Sequence, residues 1–227
     1  MNVIVTGAGR GIGFELVKYY INNGCKVIAL SRNKSQLNLI KSEGLIIESV
    51  EFDSDNVKDD IENIANKYFD KLDILINNAG FLVSKPFNDL SQNEIRSIYQ
   101  VNILSVFEII KGVYPLLLKS NNPHIINVGS IGGVQGSVKF TGLSAYSSSK
   151  GALSLLTECL AEEFSETKIK CNCLSLGAVQ TEMLSDAFPD YKAPIQPNEM
   201  AELIYKFSID GYKYYNGKVI SVSTSTP

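Results

Sequence analysis

Short runs of β-branched and aliphatic residues alternate along this chain with stretches whose apolar positions fall three and four residues apart. The first pattern fits strands and the second fits helices, and their alternation is the βαβ rhythm of an open parallel sheet. Strands are predicted at residues 3–6, 26–30, 45–50, 74–77, 124–128, 170–175 and 218–222. Helices are predicted at 11–22, 34–42, 57–68, 91–119, 144–165 and 198–209. The helix at 91–119 is apolar around much of its circumference. Ile95, Ile98, Val101, Leu104, Phe107, Ile110 and Val113 form one stripe, and Ile103, Val106 and Ile109 broaden it, so the helix needs two covered faces. One is the sheet; a second subunit is expected on the other.

Length and composition narrow the classes. At 227 residues, with 44% hydrophobic and 20% charged residues, the chain suits one α/β domain spanning 1–227. A net charge of -3 leaves no basic field for a phosphate backbone, so no nucleic-acid partner is expected. Apolar stretches are broken by polar residues before the roughly 20 needed to span a bilayer, and no export signal precedes the first strand; a cytoplasmic protein without membrane contact is expected. Cys25, Cys159, Cys171 and Cys173 form no CxxC pair and are read as reduced thiols. His124 is the single histidine, which argues against a metal site or a Ser-His-Asp triad; a surface or strand-edge role is expected for it.

Three local patterns carry chemistry. The first strand runs into Thr6-Gly7-Ala8-Gly9-Arg10-Gly11-Ile12-Gly13 and then a helix. Glycines there permit a tight turn and close backbone approach, and the helix start offers unpaired N–H groups to a pyrophosphate. The second strand ends at Ser31-Arg32, where a site selective for NAD would carry an acid on the ribose. With no acid there, Arg32 and Arg10 are suited to clamp a 2'-phosphate, making NADP the expected cofactor, with NAD also able to enter. Finally, Tyr146 and Lys150 stand at i and i+4 on a helix, so the phenol and the ammonium share a face.

Other stretches complete the pattern: Asn77-Asn78-Ala79-Gly80 after the fourth strand, Val101-Asn102 in the long helix, Ser130 after the fifth strand, and Leu176-Gly177-Ala178-Val179-Gln180-Thr181 after the sixth. In this order, with the TGxxxGxG turn and YxxxK, the whole chain resembles the short-chain dehydrogenase/reductase family. The resemblance implies a Rossmann-type doubly wound parallel sheet flanked by helices, binding NAD(P). It implies a catalytic group in which Tyr146 exchanges a proton with the substrate oxygen, Ser130 holds that oxygen, Lys150 binds the nicotinamide ribose and biases the tyrosine, and Asn102 helps order a water. It further implies cofactor contacts at Gly7, Gly9, Arg10, Gly11, Ile12, Gly13, Arg32, Asp53 beside the adenine, Asn78, Ala79, Gly80, Gly177, Val179 and Thr181. The substrate would be a small or medium carbonyl compound or alcohol, and the assembly a homodimer or homotetramer.

The chain departs from the family in two places. Leu176 stands where a proline is usual, and residues 136–143 make the segment between Ser130 and Tyr146 longer than the norm. Residues 181–196, apolar, aromatic and bounded by prolines, are expected to form a mobile lid. An NADP(H)-sensing regulatory protein with little turnover is the alternative reading; a sensor need not keep Ser130, Tyr146 and Lys150.

Overall fold

Seven parallel strands build the sheet in the computed structural model, which describes residues 1–226. They are β1 (Asn2–Thr6), β2 (Lys26–Leu30), β3 (Leu45–Glu48), β4 (Ile74–Asn77), β5 (His124–Ser130), β6 (Lys170–Leu176) and β7 (Val219–Val222), in the spatial order β3-β2-β1-β4-β5-β6-β7. The helices are α1 (Gly11–Asn22), α2 (Val57–Tyr68), α3 (Gln92–Tyr99), α4 (Ser105–Leu117), α5 (Ser144–Glu163), α6 (Glu182–Ala187) and α7 (Pro197–Asp210). This is the α/β Rossmann-like fold.

Strand periodicity explains the two-sided burial. Along β1, Ile4 points into a core with Val57 and Ile61 of α2, Ile109 and Val113 of α4, and Leu153 of α5. Its neighbours Val3 and Val5 point the other way, to Leu16 and Val17 of α1 and Ala201 and Ile204 of α7. Chain order reverses between β1 and β4, which places a crevice at the carboxyl ends of those strands.

The predicted helix at 34–42 is only a 3₁₀ turn, Leu37–Leu39. Asn33 Oδ1 there accepts from the Ser35 amide at 2.9 Å and its hydroxyl at 2.7 Å, a local alternative to helix bonding, and only Leu37 is buried. The helix predicted at 91–119 starts at Gln92 with a Ser91–Glu94 capping box and is interrupted by a π-helical turn, Gln100–Leu104. Contrary to the sequence expectation, the continuous helical run Gln92–Leu117 is long and apolar enough to cross a bilayer; more than half of its most apolar window is buried inside this protein.

His124 is not a surface residue. It is fully buried at the start of β5, with Nδ1 3.0 Å from the Ser208 carbonyl oxygen and Nε2 3.0 Å from Asn172 Nδ2. Burial holds its pKa down to about 4, against a partial rise from the Ser208 carbonyl.

Candidate active site

The glycine turn is shaped by close approach. Gly7 and Gly11 hold φ of +65° and +54°, and a Cβ at Gly7 would lie 2.7 Å from Ala79 Cα. At Gly13 a Cβ would overlap the Gly7 carbonyl oxygen, so this glycine serves the packing of α1 under the turn and does not line the cleft. Thr6 and Asn78 lock the turn to the segment after β4. Thr6 Oγ1 accepts from the Asn78 and Ala79 amides, both at 3.0 Å, and Asn78 Nδ2 donates to the Thr6 and Gly7 carbonyls at 3.0 and 3.1 Å.

These constraints open a cleft of about 700 Å³ along the carboxyl ends of the strands. Nearly every residue singled out from the sequence lines it: Gly7, Gly9, Arg10, Gly11, Ile12, Arg32, Asp53, Asn78, Ala79, Gly80, Ser130, Tyr146, Lys150, Gly177, Val179 and Thr181. The turn fits a pyrophosphate. Arg10 occupies the N-cap of α1 without a side-chain capping bond, so the first-turn amides are not claimed by a cap. Arg32 and Asp53, both exposed, stand 4.0 Å apart as an ion pair at the same end.

At the other end, β5 delivers Ser130 and the first turns of α5 deliver Tyr146 and Lys150. Lys150 Nζ donates to the Val128 carbonyl at 2.8 Å and lies 6.0 Å from the centre of the Tyr146 ring. Burial pushes the Tyr146 phenol up to about 12, opposed by a hydrogen bond with Ser130. Burial also holds the Lys150 ammonium down to about 8, opposed by the neighbouring Cys173. A protonated phenol, a second hydroxyl and an ammonium close to neutral pKa thus face one space.

Asn102 lies outside the cleft lining. The π-helical turn aims its amide at the backbone of Phe81: Oδ1 accepts from the Phe81 amide at 2.8 Å, while Nδ2 donates to the Phe81 carbonyl and to Ser149 Oγ, both at 2.9 Å. It therefore pins the segment after Gly80 to α5. Asn77 is likewise turned to its neighbours, donating to Asn127 Oδ1 at 2.8 Å.

Several lining residues escaped the sequence reading, among them Phe81, Leu82 and Ile131. The long segment before α5 brings Phe140 to the cleft, where its ring meets Phe188 edge-on at 5.7 Å. Only the extra length of that segment hinted at such a wall. Residues 181–196 contain α6, whose N-cap Thr181 accepts from the Leu184 amide at 3.3 Å. Gln180 staples both sides of this segment, donating to Ser185 Oγ at 3.0 Å and accepting from the Ala193 amide at 2.8 Å.

Comparison with known proteins agrees with this geometry. An uncharacterized oxidoreductase of Staphylococcus aureus strain USA300 is 29% identical over 223 residues, covering 96% of this chain and 95% of its own. A tropinone reductase homolog of Arabidopsis thaliana is 30% identical over 239 residues, with 96% and 89% covered. A short chain dehydrogenase from Escherichia coli CFT073, complexed with NADPH, superposes with a TM-score of 0.87 at 26% identity, covering 97% of this chain and 95% of its own. 4-Hydroxyisoleucine dehydrogenase complexed with NADH shares the fold, with a TM-score of 0.87 at 23% identity and 98% and 96% covered. The short chain dehydrogenase family model matches residues 1–192, and with that match this chain belongs to the short-chain dehydrogenase/reductase family.

Proposed function

We propose that this oxidoreductase prefers NADP(H) and interconverts a carbonyl and an alcohol on a small or medium molecule. The observation that carries the reading is the meeting of Ser130, Tyr146 and Lys150 in the cleft that also holds the glycine turn. Residues 1–227 are read as one dinucleotide-binding and catalytic unit.

The turn from Gly7 to Ile12 and the start of α1 would hold the pyrophosphate, and Asn78, Ala79, Gly80, Gly177, Val179 and Thr181 would flank the remainder of the cofactor. Gly13 supports the turn from beneath. Asp53 would face the adenine while its ion pair steadies Arg32, and Arg32 with Arg10 would bind the 2'-phosphate. When bound, the nicotinamide supplies or accepts a hydride.

The chain's own residues manage the oxygen. Carbonyl reduction builds negative charge on that oxygen, and the Tyr146 phenol, neutral at physiological pH, can donate a proton to it. Ser130 Oγ would hold the same oxygen from β5, and Lys150 would stabilise the phenolate left behind. Asn102 would act by fixing the Gly80–Phe81 backbone beside these groups. Three of the four free cysteines are buried, which suits a reducing cytoplasm.

The test follows NADPH absorbance with a panel of aldehydes and ketones. Wild type should oxidise NADPH, whereas Tyr146→Phe should lose at least a hundredfold in kcat and keep nearly unchanged NADPH affinity, because the phenol serves the substrate oxygen. Turnover in Tyr146→Phe within a few fold of wild type would assign the proton to another group.

A further inference from the structure

We infer that the substrate is an uncharged, apolar carbonyl compound, with aromatic aldehydes as its simplest members. The inference rests on the oxidoreductase reading and adds the class of molecule that the Tyr146 end of the cleft can receive.

The charged groups of the cleft are segregated. Arg10, Arg32 and Asp53 sit in the segments after β1, β2 and β3, and Glu182 reaches toward Gly11, its Oε2 3.7 Å from where a Cβ of Gly11 would stand. Lys150 alone carries charge into the Tyr146 end, and its Nζ is committed to the Val128 carbonyl at 2.8 Å with almost no solvent exposure. Of the cations on the adjoining segments, Lys139 donates to the Val134 carbonyl at 2.7 Å and Ser137 Oγ at 2.7 Å, Lys85 pairs with Glu94, and Arg96 and Lys192 are exposed and do not line the cleft. A substrate carboxylate or phosphate on the far side of the molecule from its carbonyl would therefore lose its water without a cation in the apolar wall to meet it, a heavy desolvation penalty.

What the end offers instead is apolar. Ile131, Phe140, Leu143, Met183, Leu184 and Phe188 contribute to its lining. The Phe140 and Phe188 rings meet at 70° with centroids 5.7 Å apart, joining the long segment before α5 to the end of α6. Such an edge-on pair presents flat, hydrophobic walls to a ring. The hydroxyls of Ser130 and Tyr146 remain for one oxygen; Ser147 Oγ is buried away from solvent with no hydrogen-bond partner. With Ser97 and Ser147 as the other hydroxyl-bearing residues of the lining at this end and no further charge, the bowl describes a molecule with one carbonyl at the Ser130–Tyr146 pair and a largely apolar, uncharged body.

A matched pair tests this: benzaldehyde against 4-carboxybenzaldehyde, which differ by one remote charge. Wild type with NADPH should favour benzaldehyde at least a hundredfold in kcat/KM. Phe188→Arg, which places a cation in the wall, should narrow that ratio at least tenfold. Binding is read separately, by titrating benzyl alcohol and 4-(hydroxymethyl)benzoate into the NADPH-loaded protein and following cofactor fluorescence. Tighter benzyl alcohol binding without turnover of either aldehyde would uphold the substrate class and overturn the carbonyl-reductase reading. Equal or tighter binding of the benzoate, or equal turnover of the two aldehydes, would overturn the class whatever the fate of that reading.

Discussion

At the scale of single residues, the same types take opposite roles according to what surrounds them. Arg32 is exposed and held near Asp53 across solvent, so its guanidinium is available to a ligand phosphate. A charge-assisted hydrogen bond of this kind should favour NADPH over NADH by roughly tenfold to a hundredfold, and Arg32→Asp should close or reverse the gap when both cofactors are titrated. Tighter NADH binding by wild type would refute the assignment. His124 is the converse, a titratable group that burial keeps neutral. Its pKa is held down to about 4 in the folded protein and returns to its ordinary value near 6.5 on unfolding. Between those values the unfolded chain binds more protons, so stability rises with pH through the window and is lost as pH falls from 6.5 toward 4. The contribution is roughly 3 kcal/mol at most. Urea unfolding of wild type and His124→Gln should therefore show a stability difference at neutral pH that shrinks by pH about 4.5. A difference independent of pH would show that the histidine titrates in the folded protein much as it does in the unfolded chain.

At the scale of elements, legibility in the sequence followed how local the cause was. Thr6 to Gly13 could be read because a glycine turn between strand and helix has few alternatives, and the structure forms it with positive φ at Gly7 and Gly11. The placement of His124 could not, since its partners Ser208 and Asn172 lie 84 and 48 residues away and belong to α7 and β6. The π-helical turn was hidden for a similar reason: Val101-Asn102 looks helical, and only the distant Phe81 backbone gives the Asn102 amide a reason to be where it is. Residues 181–196 fall between these cases. The sequence supports a lid, and the structure adds a short helix stapled by Gln180 with Met183, Leu184 and Phe188 toward the cleft. A six-residue helix with no buried side chain has little to hold it shut by itself. Limited proteolysis should cut this segment in the free protein and spare it with NADPH; equal resistance in both states would identify a fixed surface element.

At the scale of the whole molecule, the long helix poses a question the isolated chain leaves open. Ile98, Ile103, Val106, Ile109, Ile110 and Val113 are buried, which accounts for one face of the broad apolar stripe. Ile95, Leu104 and Phe107 are on the outside with 38%, 49% and 40% exposure, and Leu155 of α5, which packs beside α3 and the π turn, adds a side chain at 61%. Four large apolar side chains on neighbouring helices are more than the scattered hydrophobes that a monomer surface tolerates without consequence, and they lie on elements whose inner faces carry Tyr146, Lys150 and Asn102. Pairing α4 and α5 with the same helices of a second copy would cover this face and brace the site from behind by a symmetric contact. Light scattering at micromolar concentration should accordingly give the mass of a dimer or tetramer. A double substitution, Phe107→Glu with Leu155→Glu, should shift the mass to the monomer, because two buried like charges per subunit would face their symmetry mates. A monomeric mass for wild type would assign the stripe to solvent and leave the site to be held by the packing of α4 and α5 on the sheet alone.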